Sequence, residues 1–526
     1  MWCKIRILLN TICYLRPIQI LYQVYYRFRK FLGVQKNYSN KRFTISKLNW
    51  TDGIHHSMSF FGNRRFKFIN QEFSFNNEIN WNYSDLGKLW NYNLNYFDFL
   101  NQKEIKKEDG LRLMRHFADA YKDIRNGKES YPTSLRIVNW IKFISKNHIK
   151  DDDLNKIVKE DSERLISNLE YHILGNHFFE NGCALFFSSF YFDDKSYLSK
   201  SLKILINELD EQILNDGAHF ELSPMYHQVV LLRLLDCINL IELNPDKVDI
   251  SIAKTFRHKA SLMVSWLKQI TFSDGSIPLV NDSAQNVYPD SVKLIEYSKK
   301  TNIKECLTSL SESGYRMIKN IDYELMIDVG EIGASYQPAH AHADTFNFLL
   351  NVKGNSLIVD AGISTYNHSK KRFLERSTRS HNTVSVNDEN SSEVWGNFRV
   401  GNRAKILELI GGENFIQASH NGYKKFNIIH QRRWEWEHDC ILINDKLTGN
   451  VSENAKAYFH FHPQSSVSQI HDVIKVNEDL EIDFTNADGI RITDYNYSPT
   501  FNRSFDALCI EVKFTEYLVT RIKINT

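Results

Sequence analysis

The chain has 526 residues, 42% hydrophobic and 24% charged, with a net charge of +2. That composition excludes a disordered chain, and the length exceeds the usual size of a single core, so two or more domains are expected. A net charge this small gives no global attraction for a polyanion, and no nucleic-acid partner is expected.

Seven scattered cysteines, with no CxxC pair, argue against disulfides and thiolate metal sites. The start, "MWCKIRILLNTICYLRPIQILYQVYYRFRK", places basic residues before a short apolar run. Arg16 closely follows the run and no small-x-small cleavage site appears, so residues 1–44 are expected to carry an amphipathic basic helix rather than a signal peptide. Such a helix suits peripheral contact with a membrane surface. No stretch is long and apolar enough to span a bilayer.

Helical periods dominate residues 45–320. "DGLRLMRHFADAYKDI", "PTSLRIVNWIKFISKN", "SYLSKSLKILINELDEQIL", "VVLLRLLDCINLIEL" and "TFRHKASLMVSWLKQI" carry apolar residues at i, i+3, i+4 and i+7. Successive amphipathic helices predict antiparallel pairs in a bundle, solenoid or α/α toroid. No fixed-length repeat supports the solenoid. From 321 to 526 the period becomes two. "FNFLLNV", "NSLIVDAG", "HNTVSVND", "CILINDKL", "AYFHFHP" and "CIEVKF" are short, β-rich and bounded by turn residues. Segregated helices and strands predict an α + β multidomain chain whose second part is an antiparallel β-sandwich. No βαβ rhythm or phosphate loop appears, and no organic cofactor is expected.

Three stretches carry candidate chemistry. In "GNHFFENG", Asn176, His177 and Glu180 share one helix face near its start and suit recognition of a carboxylate; a capped helix with a surface histidine explains the same residues. In "DGAHFELSPMYHQVVL", Pro224 can open a helix with Tyr226 in its first turn. A tyrosine of pKa about 10 is a poor base at neutral pH without nearby cations, and a packed ring with a bonded hydroxyl is the plain alternative. In "YQPAHAHADTFNFLL", His340, His342 and Asp344 alternate, so an extended strand would face them to one side. Two histidines and an aspartate drawn from different strands, such as His342, Asp360 and His381, can form a zinc site; polar strand residues facing solvent are the alternative.

Together, "LWNYNLNYFDFL", "YPTSLRIVNWIKF", "GNHFFENGCALFF", "DGAHFELSPMYHQ", "YQPAHAHADTFNFLLNVKGNSLIVDAG" and "RSHNTVSVNDENSSEVWGNFRVG" resemble the bacterial heparinase II/III-like polysaccharide lyases, in the family's order. The resemblance implies an N-terminal α/α toroid, an incomplete barrel of helix pairs, followed by a C-terminal antiparallel β-sandwich. It implies a carbon–oxygen lyase that breaks a uronic-acid-containing acidic polysaccharide by β-elimination. Asn176 resembles the carboxylate-binding amide, His177 a base or neutraliser, Tyr226 the catalytic tyrosine and His340 a sandwich histidine reaching the cleft. Glu180 matches an acidic residue near the substrate carboxylate. His342, Asp360 and His381 match a metal site, usually zinc, that organises the cleft, with Asp344 as support. Arg136, Trp140 and Arg399 are further substrate candidates, against which core packing explains Trp140 and a salt bridge Arg399.

The start resembles family members associated with surface polysaccharides, which implies the cell envelope or periplasm; the lack of a clear signal peptide leaves the cytoplasm as the alternative. A non-catalytic polysaccharide-binding or assembly factor and a uronate C5-epimerase are the competing readings. Hydrolysis is weaker, because it normally needs two placed carboxylates.

Overall fold

The structure is a computed structural model and describes residues 2–33, 38, 43–51, 53–450 and 454–525. The N-terminal segment forms two helices rather than one, α1 (Trp2–Ile12) and α2 (Pro17–Phe31). Pro17 lacks an N–H and disfavours helical backbone at Arg16, so the chain breaks there and restarts with proline at the first helical position. The expected segment's residues 34–37 and 39–42 lie outside the described residues.

The helical half contains α3 (Lys88–Tyr96), α4 (Lys107–Ala120), α5 (Ser130–Lys146), α6 (Asp152–Ile166), α7 (Gly175–Phe192), α8 (Lys195–Gln212), α9 (Pro224–Leu243), α10 (Ile250–Ile270) and α11 (Ser291–Lys300). Burial sorts most of these into two layers. Helices α5, α7 and α9 are buried on almost every side, whereas α6, α8 and α10 bury one face each. Apolar character all round belongs to an inner helix, and a one-sided stripe to an outer one. Packing of α5 on α6 and α7, α7 on α8 and α9, and α9 on α10 follows this alternation and gives the toroid. Asp151, Asp194, Asp249 and Asp290 cap α6, α8, α10 and α11 with their carboxylates, satisfying first-turn N–H groups.

Apart from an antiparallel hairpin of Arg65–Phe68 and Gln71–Ser74 in the helical half, strands begin at Tyr315, a few residues ahead of the boundary that the change of period suggested. A four-stranded antiparallel sheet runs through Tyr315–Lys319, Tyr323–Asp328, Phe348–Val352 and Asn355–Ile358. A second four-stranded sheet contains Gly489–Thr500, Arg503–Phe514, Ala455–His460 and Val384–Val386 in that order. Both pack on an eight-stranded sheet through one core that includes Leu325, Phe348, Val384, Trp434, Ile443, Phe459 and Ile522.

The run from Pro338 to Asn347 is not a strand. Ala341 donates its backbone N–H to Pro338, Asn347 donates to Asp344, and Phe346 has φ +70°, so two turns replace the expected extension. The fixed loop is tied to the sandwich by Arg432, buried against Asp445, whose guanidinium donates to the carbonyls of Phe346 and Asn382 at 2.8 Å each. Helical and β halves share core: Ala334, Tyr336, Ile363 and Phe501 join the toroid cluster, and Trp266 packs with Tyr315, Met326 and Leu349. The loops between the two halves therefore form one packed junction.

Candidate active site

A cavity of about 740 Å³ opens at this junction. Asn176, His177, Tyr226, Tyr288, His340 and Arg399 contribute to its lining. Asn176 stands at the first turn of α7. Leu174 (φ +64°) and Gly175 (φ +59°) turn the chain sharply into the helix, and a Cβ at Gly175 would lie 2.5 Å from Glu221 Oε1. Glycine thus lets the Glu221 carboxylate approach the helix N-terminus, where the dipole favours an anion. Glu221 accepts from the Asn176 backbone N–H at 3.0 Å and from Asn176 Nδ2 at 3.0 and 2.8 Å. Asn176 Oδ1 is buried without a hydrogen-bond partner.

His177 faces the cavity one residue further on. Its ring lies 4.3 Å from that of Tyr131, and Nδ1 is 3.1 Å from Glu170 Oε1. Burial opposes the imidazolium, but Glu170, Glu221 and Glu180 outweigh it and raise the pKa above the ordinary histidine value.

Ser223 caps α9 and Pro224 opens it, which sets Tyr226 in the first turn as the sequence suggests. Its ring stacks on His340 at 3.7 Å between centroids, and its hydroxyl lies 3.2 Å from that of Tyr366. Burial, with Tyr366 and Tyr288 nearby, pushes the Tyr226 phenol well above its usual value. Tyr226 is thus a protonated phenol at neutral pH, and so a proton donor rather than a base.

His340 is held from behind. Its Nδ1 donates to Asp282 Oδ2 at 3.0 Å, which leaves Nε2 on the other edge of the ring, 3.7 Å from Glu221 Oε2. The other Asp282 oxygen accepts from His342 Nε2 at 2.9 Å. Arg372, in the short helix α12 (Lys370–Glu375), grips both oxygens at 2.5 and 2.7 Å. Burial opposes the charge of Asp282, yet Arg372 and the two histidines hold its carboxyl well below the usual range. Its backbone N–H donates to His340 and its carbonyl accepts from Ser223 Oγ, so one residue links the cap of α9 to the histidine loop.

His342, Asp360 and His381 come together behind this layer. The two imidazoles are 5.3 Å apart, and His381 Nδ1 donates to Asp360 Oδ2 at 2.7 Å. Asp360 also accepts from Asn347 Nδ2 and from the Gly362 N–H. Among the described residues, no group of three or more His, Cys, Asp or Glu side chains is arranged as a metal cage. The donor chemistry nevertheless fits a cation. His342 Nδ1, His381 Nε2 and Asp344 Oδ2 are buried with no hydrogen-bond partner, and burial lowers His342 to about 4, which keeps its imidazole neutral.

Three expected substrate contacts lie elsewhere. Arg136 is buried against Asp161 and donates to the carbonyls of Asn95 and Gly127. Trp140 packs between Phe97 and Phe117 in the toroid core. Glu180 is buried in an ion pair with Arg233 Nε at 2.8 Å, one turn deeper along α7 than the cavity-facing residues. Inner helices of a toroid have buried faces on both sides, so these polar groups serve packing and charge balance. Arg399 is exposed at the cavity rim, over the Trp395 ring at 4.8 Å. The anchor Asp282 and its partner Arg372 were not singled out from the sequence. The only signal for Asp282 was an acid in the irregular stretch "PLVNDSAQN".

The fold and cleft define a two-part protein, a toroid of paired helices backed by a β-sandwich, with a histidine- and tyrosine-lined cavity where they meet. The chain belongs to the heparinase II/III family: residues 19–301 match the model "Heparinase II/III N-terminus" and residues 302–523 the model "Heparinase II/III-like, C-terminal". Similar curated proteins include heparin-sulfate lyases of Pedobacter heparinus, 23% identical over 330 residues (56% of this chain, 48% of the relative), and Bacteroides stercoris, 21% identical over 319 residues (55% and 46%). The chain thus spans about half the length of these relatives. The structure of heparinase III is similar at TM-score 0.67, with 16% identity over 94% of this chain and 88% of that one. That of the heparan sulfate lyase HepC from Pedobacter heparinus gives 0.56, with 17% identity over 88% and 81%. These likenesses agree on the fold.

Two outcomes follow from the geometry. Asp282→Asn leaves Arg372 facing no anion in a buried site, so urea unfolding is expected to show a loss of about 3–5 kcal/mol; a loss under about 1 kcal/mol contradicts the anchoring role. Because His177 is raised above an unfolded value of about 6.5, its pairing with Glu170 stabilises the fold below that pH and fades as pH rises through the folded pKa. The melting-temperature deficit of Glu170→Gln is therefore expected to be larger at about pH 6 than at about pH 9.

Proposed function

We propose that the protein is a polysaccharide lyase that cleaves a uronic-acid-containing acidic polysaccharide by β-elimination, in surface polysaccharide metabolism at the cell envelope. One observation carries this reading: the Tyr226 phenol stacked on a histidine whose far nitrogen is fixed by Asp282. This sets a protonated acid beside an oriented base, both in a cavity large enough for sugar rings. The family and its heparin-sulfate lyase relatives support it.

The chemistry needs three things: the uronate carboxylate neutralised, the C5 proton removed and the leaving O4 protonated. His177, an imidazole whose charged form is favoured, supplies the first, and Asn176 joins it by turning its Nδ2 from Glu221, which accepts it in the free protein, to the uronate. His340 Nε2 takes the C5 proton. The electron pair of that bond forms the C4–C5 double bond as the C4–O4 bond breaks, and Tyr226 gives its proton to O4. Arg399 at the rim meets a further acidic group of the polymer. Zinc, where bound, would be held by the three partnerless donors His342 Nδ1, His381 Nε2 and Asp344 Oδ2, in place of the expected Asp360, which accepts from His381 Nδ1 and orients that ring, and would supply a fixed charge that holds the loops behind the cleft.

Supplied with glycosaminoglycans, alginate and the producing cell's own acidic polymer, the protein is expected to generate the ultraviolet absorbance of an unsaturated uronate end with at least one of them. Tyr226→Phe is expected to lower the rate by roughly 10²–10⁴-fold. Glycan binding that survives Tyr226→Phe, with no absorbance from wild type on any substrate, would instead establish a non-catalytic binding factor; an inverted uronate without chain shortening would establish an epimerase. Metal analysis of the purified chain is expected to find about one zinc, lost in His342→Ala/His381→Ala; an equal content in that variant contradicts the metal assignment.

A further inference from the structure

Helix α2 is docked the wrong way round for a helix of a soluble surface. Its polar side faces the protein: Gln19 is 1% exposed and donates to the Ile173 carbonyl, Tyr26 donates to Leu169 at 2.7 Å, and Arg29 donates to Ser167 at 2.9 Å. Tyr22 stacks on Tyr171 at 4.5 Å, and Arg16 lies over Tyr336. The opposite side carries Leu21, Val24, Phe28, Phe31 and Leu32, spaced at three, four and seven residues, hence on one stripe. These are 55–83% exposed. An ordinary surface helix buries such a stripe; here the helix is already anchored and the stripe still faces outward. Helix α1 adds Ile5 and Leu9, exposed, while Asn10 and Thr11 bond Glu393 and Trp395 of the sandwich half.

Charge points to what covers this face. The first 51 residues contain ten Lys and Arg and no Asp or Glu, in a chain whose net charge is +2. Arg27 and Lys30 are exposed around the stripe, whereas Arg6 pairs with Glu393. Among the described residues no helix is long and apolar enough to cross a membrane. An outward apolar face flanked by unneutralised cations, on a helix too short to span, fits the headgroup layer of an anionic bilayer. The same two helices wall the cavity, through Leu8, Thr11, Gln23 and Arg27.

We propose that α1 and α2 form a membrane-interface element that seats on an anionic lipid surface and holds the mouth of the cleft beside it. The element is continuous with the cleft wall, so a polymer entering the cavity passes next to the lipid. This stands independently of the reaction proposed above.

The test is co-sedimentation of the full chain with vesicles of phosphatidylcholine alone and with phosphatidylglycerol added. The chain is expected to bind the anionic vesicles at least about tenfold more tightly than the neutral ones, and binding is expected to weaken at high salt. Leu21→Glu/Val24→Glu/Phe28→Glu is expected to lose at least about tenfold in binding, with its melting temperature unchanged because these side chains touch solvent. Phe31→Ser, at the most exposed position, is expected to weaken binding in the same direction. Wild type remaining in the supernatant with both vesicles, or binding unchanged in both variants, overturns the proposal. So does a wild-type dimer that the triple variant abolishes in the absence of lipid, which would assign the face to a second copy of the chain.

Discussion

The buried carboxylate of Asp282 is the interaction on which the site depends. It is surrounded by Arg372 and two imidazoles, and it lies where the cap of α9, the histidine loop and α12 meet. A single buried carboxylate costs several kcal/mol unless its partners are placed well. Here the guanidinium takes it in a bidentate grip and each oxygen accepts from one histidine. The consequence is directional. His340 must present Nε2 forward and His342 must present Nδ1 backward, toward His381. One anion thereby assigns the tautomers of two rings with different tasks.

Environment then divides the remaining roles. Tyr226 is buried among other phenols, which disfavours its phenolate. His177 sits among carboxylates that favour its charged form. Glu221 ties Asn176 to the helix start and approaches His340 from the other side, so the toroid's inner helix and the sandwich loop are joined by the same polar layer. Proton donor, charged ring and oriented base are thus set by neighbours rather than by residue type.

Much of the architecture was legible because burial leaves a period. α5, α8, α9 and α10 and most strands were visible as stripes of three and four, or of two, and Pro224 announced the start that carries Tyr226. What failed to show was set by contacts distant in sequence. An alternating His-Ala-His-Ala-Asp run reads as a strand, yet turns at Ala341 and Asn347 and bonds from Arg432 make it a loop. Arg136 and Trp140 have the residue types of a sugar site, but they belong to an inner helix whose surroundings no local pattern reveals. Asp282 sits in an aperiodic segment and acquires its meaning from Arg372, ninety positions away. The N-terminal helices show a related limit: the amphipathic pattern was plain, but only the docking of the polar side revealed which face stays open.

The most direct measurement is a crystal structure of the Tyr226→Phe protein with a uronate-containing oligosaccharide from a cleavable polymer. The uronate carboxylate is expected against Asn176 and His177, with C5 within about 3–3.5 Å of His340 Nε2 and the glycosidic oxygen facing position 226. His340 Nδ1 is expected to bond Asp282 still. A sugar bound away from this cluster, or a His340 released from Asp282 in the complex, would contradict this mechanism.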